Sequence, residues 1–130
     1  MSYNILIVDD SKTIRSVIKK TLYMADVPVG DLYEAENGKE ALDVMNSNWI
    51  DLIFADINMP VMTGIEMIKK MSEDNTLDKT PVIIVSTEGS KTRIDELLEL
   101  GVKAYLRKPI NPEELRNIVK EVMVGYNECK

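Results

Sequence analysis

Three apolar runs, Ile5-Leu6-Ile7-Val8, Leu52-Ile53-Phe54-Ala55 and Val82-Ile83-Ile84-Val85, contain no polar residue. A strand with one face in water alternates apolar and polar residues. An unbroken run rich in β-branched residues needs apolar cover on both faces. These runs therefore call for a parallel sheet with helices packed on either side. A fourth run, Leu32-Tyr33-Glu34-Ala35, is half polar and suits a strand nearer an edge. A fifth, Ala104-Tyr105-Leu106, is short and flanked by charge.

Helical periodicity fills the spaces between the runs. Ile14, Val17, Ile18 and Leu22 form one stripe, and Leu42, Met45 and Trp49 a second. A short helix is expected near Ile65, Ile68 and Met71. Ile94, Leu97 and Leu98 give another, closed by Gly101, and Leu115, Ile118, Val119 and Val122 give the last. Start signals agree with this division. Asn111-Pro112-Glu113-Glu114 offers a cap, a proline at the first helical position and an acidic first turn. Thr63-Gly64-Ile65-Glu66 has the spacing of a capping box, as does Asn37-Gly38-Lys39-Glu40, and Asp10 or Ser11 can cap the first helix. Thr76 to Pro81 reads as a polar surface loop. The eight methionines are expected mainly as core filling.

The order is strand–helix repeated five times, an α/β chain with a doubly wound parallel sheet and right-handed crossovers. Its 130 residues suit one domain with one core over about 4–124, followed by a short tail over 125–130. The last helix is expected to end near Val124, with no effector domain expected after it.

Charge and composition exclude several functions. Asp and Glu number 22 against 16 Lys and Arg, a net charge of −6 that repels nucleic-acid phosphates and anionic membranes. There is no histidine, so no Ser-His-Asp triad, no histidine zinc site and no histidine phosphodonor. The lone Cys129 forms no internal disulfide and reads as a free thiol near the end. No apolar run approaches the length of a membrane span, and Met1-Ser2-Tyr3-Asn4 lacks a basic leader region, so a cytoplasmic chain is expected.

In open α/β sheets, ligands bind beyond the carboxyl ends of the strands, where strand order reverses. The residues that fall there are Asp9-Asp10-Ser11, Asp56-Ile57-Asn58-Met59-Pro60, Ser86-Thr87-Glu88 and Arg107-Lys108-Pro109. Taken singly, each has a bland role: a strand-end Asp forms turns or caps a helix, and a lysine is solvated surface. Together, Asp9, Asp10 and Asp56 are like charges in one crevice. Each unneutralised pair costs on the order of 1–4 kcal/mol at 4 Å. A raised pKa or a bound divalent cation would resolve this. Oxygen ligands without His or Cys favour Mg²⁺, Mn²⁺ or Ca²⁺ over zinc. Carboxylates, a divalent cation, the Ser86 hydroxyl and the Lys108 ammonium suit phosphoryl transfer, in which charge neutralisation does most of the work. An ionised Asp can itself be the nucleophile, so no histidine base is needed.

The chain resembles the response-regulator receiver domain, in its single-domain chemotaxis (CheY) type, over about Asn4 to Val124. The resemblance rests on Ile7-Val8-Asp9-Asp10-Ser11, Glu34-Ala35-Glu36-Asn37-Gly38, Ala55-Asp56-Ile57-Asn58-Met59-Pro60, Gly64, Gly101 and Tyr105-Leu106-Arg107-Lys108-Pro109, in order and at family spacing. It implies a flavodoxin-like sheet of order 2-1-3-4-5 with five helices.

It further implies Asp56 as phosphoacceptor. Asp9, Asp10, Asp56 and the Asn58 main-chain carbonyl would be the Mg²⁺ ligands. Lys108 and Thr87 would contact the phosphoryl group, Ser86 would be the switch hydroxyl and Tyr105 the output aromatic. Asn58 and Glu88 would tune phosphate lifetime, towards a short one. Ser86 stands where Thr is commoner, Thr87 where a small Ala is frequent, and Ile118 where the chemotaxis type can carry a lysine. The implied partners are a sensor histidine kinase as phosphodonor and a target on the face of the fourth helix, fifth strand and fifth helix, such as a flagellar switch. A phosphatase is a further partner, and the chain is expected to be monomeric. It would turn over only its own phosphate, with no outside substrate.

Three other sequence classes fit less well. A haloacid-dehalogenase-like phosphatase wants an Asp where Asn58 stands. A flavin-nucleotide binder wants a Ser/Thr/Gly-rich loop where Asp9-Asp10 would repel the phosphate. A pseudo-receiver usually lacks the Asp or Lys kept here. Within the receiver reading, the alternative to a diffusible switch is a relay intermediate passing phosphate to a histidine phosphotransfer protein.

Overall fold

The computed structural model describes residues 2–87 and 90–128, with the side chains of 78 and 125–128 outside that description. Glu88 and Cys129 lie outside the described residues. The elements run β1 (Tyr3–Val8), α1 (Lys12–Met24), β2 (Val29–Ala35), α2 (Gly38–Ser47), β3 (Leu52–Ala55), α3 (Gly64–Glu73), α4 (Thr76–Lys79), β4 (Val82–Ser86), α5 (Lys91–Leu100), β5 (Ala104–Arg107) and α6 (Pro112–Glu128). The five strands are parallel and lie in the order β2-β1-β3-β4-β5.

The apolar runs form the three central strands, and the half-polar β2 and short β5 form the edges. Strand alternation divides the core in two. Leu6, Val8, Ile53, Ala55 and Ile84 face one side, against Met67, Ile68 and Met71 of α3 and Leu97 of α5. Ile5, Ile7, Phe54, Ile83 and Val85 face the other, against Ile18 and Leu22 of α1 and Leu115, Val119 and Met123 of α6. Each fully buried Leu, Ile or Phe contributes about 1.5–3 kcal/mol. A one-residue slip of β3 would exchange its two faces and mismatch both layers.

The caps are realised in detail. Ser11 Oγ accepts from Ile14 N at 3.3 Å, Asn37 Oδ1 from Glu40 N at 2.9 Å, and Asn111 Oδ1 from Glu114 N at 2.8 Å. Thr63 and Glu66 form a reciprocal capping box.

Four expectations are corrected. Thr76 to Pro81 is not wholly a loop: Thr76–Lys79 makes one helical turn, so the expected fourth and fifth helices become α5 and α6. Its Leu77 is buried against the first core layer, and Asp74 Oδ1 receives Thr76 N at 3.0 Å. A single apolar residue among polar ones carries no readable period. Trp49 is not on the α2 stripe, because α2 ends at Ser47. The indole is 68% exposed and donates to Asp51 Oδ1 at 3.0 Å. Val17 and Leu98 are exposed, since the sheet covers a narrower arc of α1 and α5 than the periodicity suggested. Finally, α6 continues past Val124 to Glu128, running through Gly125 and Asn127, two residue types that often end a helix.

Candidate functional site

Register builds the site. Val8 pairs with both Ala35 and Ala55, so β1, β2 and β3 end level. The next residues, Asp9 and Asp56, therefore emerge side by side, with Asp56 N donating to Val8 O at 3.0 Å. This lies where strand order reverses between β1 and β3, the crevice at which such sheets bind ligands. Single carboxylate oxygens of Asp9, Asp10 and Asp56 lie within 4.8 Å of one another. Asp9 is buried, Asp56 partly buried and Asp10 exposed.

Asp9 is held at every polar atom. Its N donates to Ala35 O at 3.1 Å, and its carbonyl accepts from Arg15 Nη1 at 2.6 Å. Its Oδ1 accepts from Ser11 N at 2.9 Å and its Oδ2 from Lys108 Nζ at 2.9 Å. Asp56 Oδ1 accepts from Ile57 N at 2.7 Å, and Lys108 Nζ lies 3.4 Å from Asp56 Oδ2. Asp10, by contrast, has no hydrogen bond or ion pair among the described residues.

Lys108 follows β5, and its N donates to Ser86 O at 3.0 Å, which ties it to the end of β4. Its peptide bond to Pro109 is cis. Burial alone would push the ammonium down, but hydrogen bonding to Asp9 and the charges of Asp56 and Asp9 hold it above its ordinary value. Lys108 is therefore a firm cation, and three carboxylates with one ammonium leave a formal charge of −2 in the crevice. All donors other than Lys108 are hard oxygens. That set fits a Mg²⁺-class divalent cation and offers nothing that zinc would prefer.

The remaining expected residues lie around this cluster. Asn58 is exposed, two residues past Asp56. The pairing of Ala55 with Ile84 sets Ser86, the last residue of β4, one step past the level of Asp56. Ser86 is buried and Thr87 exposed. Tyr105 is half-buried, and its hydroxyl donates to the main-chain Ser86 O at 3.4 Å, which links β5 to the end of β4. Gly64 is fixed by sterics: a Cβ there would stand 2.1 Å from Asp56 O. Its N donates to Ile57 O at 2.8 Å, so the start of α3 is pressed against the loop that carries Asp56.

The sequence reading gave no role to Arg15, Glu34 or Lys19. Arg15 is 7% exposed, and its Nε donates to Glu34 Oε1 at 2.9 Å. Lys19 Nζ stands 3.0 Å from Glu34 Oε2. The signal was available, because Arg15 falls with Ile18 and Leu22 on the inward stripe of α1, a position where a charge needs a partner.

Comparison with known proteins agrees with this fold. A family model described as "Response regulator receiver domain" matches residues 5–120. "Chemotaxis protein CheY1" of Helicobacter pylori is 38% identical over 125 residues, covering 95% of this chain and 98% of that protein. "Two-component response regulator ORR5" of rice is 36% identical over 121 residues, covering 92% of this chain and 88% of that one. Among solved structures, Vibrio cholerae chemotaxis protein CheY4 superposes with a TM-score of 0.81 at 34% identity, over 94% of this chain and 99% of that one. Among the described residues, no helix is long and apolar enough to cross a membrane.

Proposed function

The chain belongs to the response-regulator receiver domain family, and from that premise we propose that it is a stand-alone phosphorylation switch whose acceptor is Asp56. The observation that carries the proposal is the cluster of Asp9, Asp10, Asp56 and Lys108 in the crevice between β1 and β3. An Asp56 carboxylate oxygen attacks the phosphorus of a partner's phosphohistidine. The O–P bond forms, the P–N bond breaks, and the imidazole nitrogen keeps the electron pair. No proton leaves Asp56, which is why a chain with no histidine can accept the group. The divalent cation, when bound, neutralises phosphoryl oxygens and lowers the barrier electrostatically. Asp9, Asp10, Asp56 and the Asn58 carbonyl would hold it. Lys108 balances a phosphoryl oxygen, and the Ser86 hydroxyl and Thr87 N–H donate to the others.

The output follows from the same contacts. Moving Ser86 towards the phosphoryl group disturbs the Ser86–Tyr105 contact, and Tyr105 lies on the α5–β5–α6 face. That face is the proposed docking site for a target protein. Relatives named as chemotaxis proteins support a chemotaxis pathway, with a sensor histidine kinase as donor, a flagellar switch as target and a phosphatase as terminator. The chain acts as a cytoplasmic monomer and turns over only its own phosphate. Asn58 and Glu88 set the lifetime of that phosphate.

The second reading is a relay intermediate that passes the phosphoryl group to a histidine phosphotransfer protein. Labelling with phosphoramidate, with Mg²⁺ or with a chelator, tests the common step: label is expected only with Mg²⁺. A chase then separates the two readings. Spontaneous release as inorganic phosphate marks the switch, and transfer to an added histidine phosphotransfer domain marks the relay.

A further inference from the structure

Arg15 spans two strands. Its Nη1 holds the Asp9 carbonyl at 2.6 Å and its Nε holds Glu34 on β2 at 2.9 Å. Glu34 directly precedes Ala35, whose carbonyl receives Asp9 N. The guanidinium therefore closes a ring through α1, the end of β1 and the end of β2. Lys19, one turn further along α1 and more exposed than Arg15, stands 3.0 Å from the second oxygen of Glu34.

Two effects of Arg15 on a bound cation have opposite signs. Coulomb repulsion makes a guanidinium beside the crevice oppose a cation. Its hydrogen bond to the Asp9 carbonyl fixes the turn from Asp9 to Asp10. Asp10 has no other anchor among the described residues, so its placement depends on that turn. Groups that orient metal ligands from behind typically change affinity by 10–100-fold when removed.

We propose that Arg15, held by Glu34, is a positioning residue that sets the Asp9–Asp10 turn for divalent-cation binding. The proposal rests on the reading of the acidic crevice as a Mg²⁺ site. The test is calorimetric titration of Mg²⁺ into wild type, Arg15→Lys, Arg15→Met and Lys19→Met, with circular dichroism to check folding. Arg15→Lys keeps the charge but cannot span both partners as a planar fork does. It is expected to bind Mg²⁺ about tenfold more weakly. Arg15→Met is expected to weaken binding as well, although it removes a repelling charge. Lys19→Met loses the same charge without touching Asp9 and is expected to bind as wild type or slightly more tightly.

Wild-type affinity in Arg15→Lys, tighter binding in Arg15→Met, or equal weakening in Lys19→Met would overturn the proposal. If Arg15→Met does not fold, Arg15→Lys decides alone. A wild type that binds no Mg²⁺ overturns the crevice reading and this proposal with it. A wild type that binds, with Arg15→Lys unchanged, overturns only the role of Arg15.

Discussion

Lys108 Nζ sits nearer to Asp9 Oδ2, at 2.9 Å, than to Asp56 Oδ2, at 3.4 Å. The ammonium thus serves as the counter-ion of the buried acid and leaves Asp56 less tightly paired. A divalent cation and Lys108 neutralise the same carboxylates, so each weakens the hold of the other. Lys108→Ala is expected to bind Mg²⁺ at least roughly tenfold more tightly, by removal of a competing positive charge beside Asp9 and Asp56. Without Mg²⁺, the same variant leaves Asp9 buried and unpaired and loses about 3–5 kcal/mol of stability. Calorimetry and urea unfolding with and without Mg²⁺ check both. Weaker Mg²⁺ binding would contradict the shared-counter-ion account.

Lys108→Arg separates charge from shape. A planar fork keeps the positive charge but cannot take the place of a point ammonium between Asp9 and Asp56. Phosphorylation of Asp56 is expected to persist, while target binding on the α5–β5–α6 face falls at least roughly tenfold, a loss of about 1.4 kcal/mol. Normal target affinity in the phosphorylated variant would refute this.

Gly64→Ala places a methyl group 2.1 Å from the Asp56 carbonyl, backbone against backbone. The expected loss is roughly 3 kcal/mol, with the Asp56 loop displaced. Gly30→Ala is the control, since its Cβ meets the end of the Asn4 side chain at 2.9 Å, which can shift by loosening its hydrogen bonds with Asp31 N and Trp49 O, whereas the Asp56 carbonyl cannot. A loss below about 1 kcal/mol is expected there. Equal losses in urea unfolding would contradict the close-approach argument.

Glu34 gives a pH signature. Burial raises its pKa, but the hydrogen bonds from Lys19 and Arg15 outweigh that and hold it below the ordinary 4.5. A carboxylate lowered on folding contributes stability above its unfolded pKa and loses it as pH falls through the folded value. The stability difference between wild type and Glu34→Gln is therefore expected to be steady near pH 7 and to shrink below about pH 4.5. A difference that grows on acidification, in urea unfolding at both pH values, has the wrong sign.

Trp49 precedes β3 while Asp56 follows it, so they stand at opposite ends of the strand, roughly 20 Å apart by strand rise. Tryptophan emission is expected to stay constant through a Mg²⁺ titration that calorimetry shows to saturate. Quenching that tracks the calorimetric isotherm would place the cation elsewhere.

How much of this was legible in the sequence depends on how many residues carried each signal. Four-residue apolar runs marked β1, β3 and β4, because burial on both faces leaves no other pattern. Strand ends then located Asp9, Asp10, Asp56 and Lys108, since parallel register places all carboxyl ends on one rim. The turn at Thr76–Lys79 was hidden because, among its described side chains, Leu77 alone is buried. Trp49 misled because large apolar residues extend a stripe on paper even after Asn48 has left helical geometry. Arg15 was missed because its partners, the Asp9 carbonyl and Glu34, come together only through the sheet. A backbone acceptor leaves no trace in side-chain spacing.

The account turns on Asp56 as the acceptor. The most direct measurement is intact-mass analysis of wild type and Asp56→Asn after incubation with phosphoramidate, each with Mg²⁺ and with a chelator. The account predicts the mass gain of one phosphoryl group in wild type with Mg²⁺ only, and none in Asp56→Asn under either condition. Equal labelling of both proteins, or equal labelling of wild type without the cation, would contradict it.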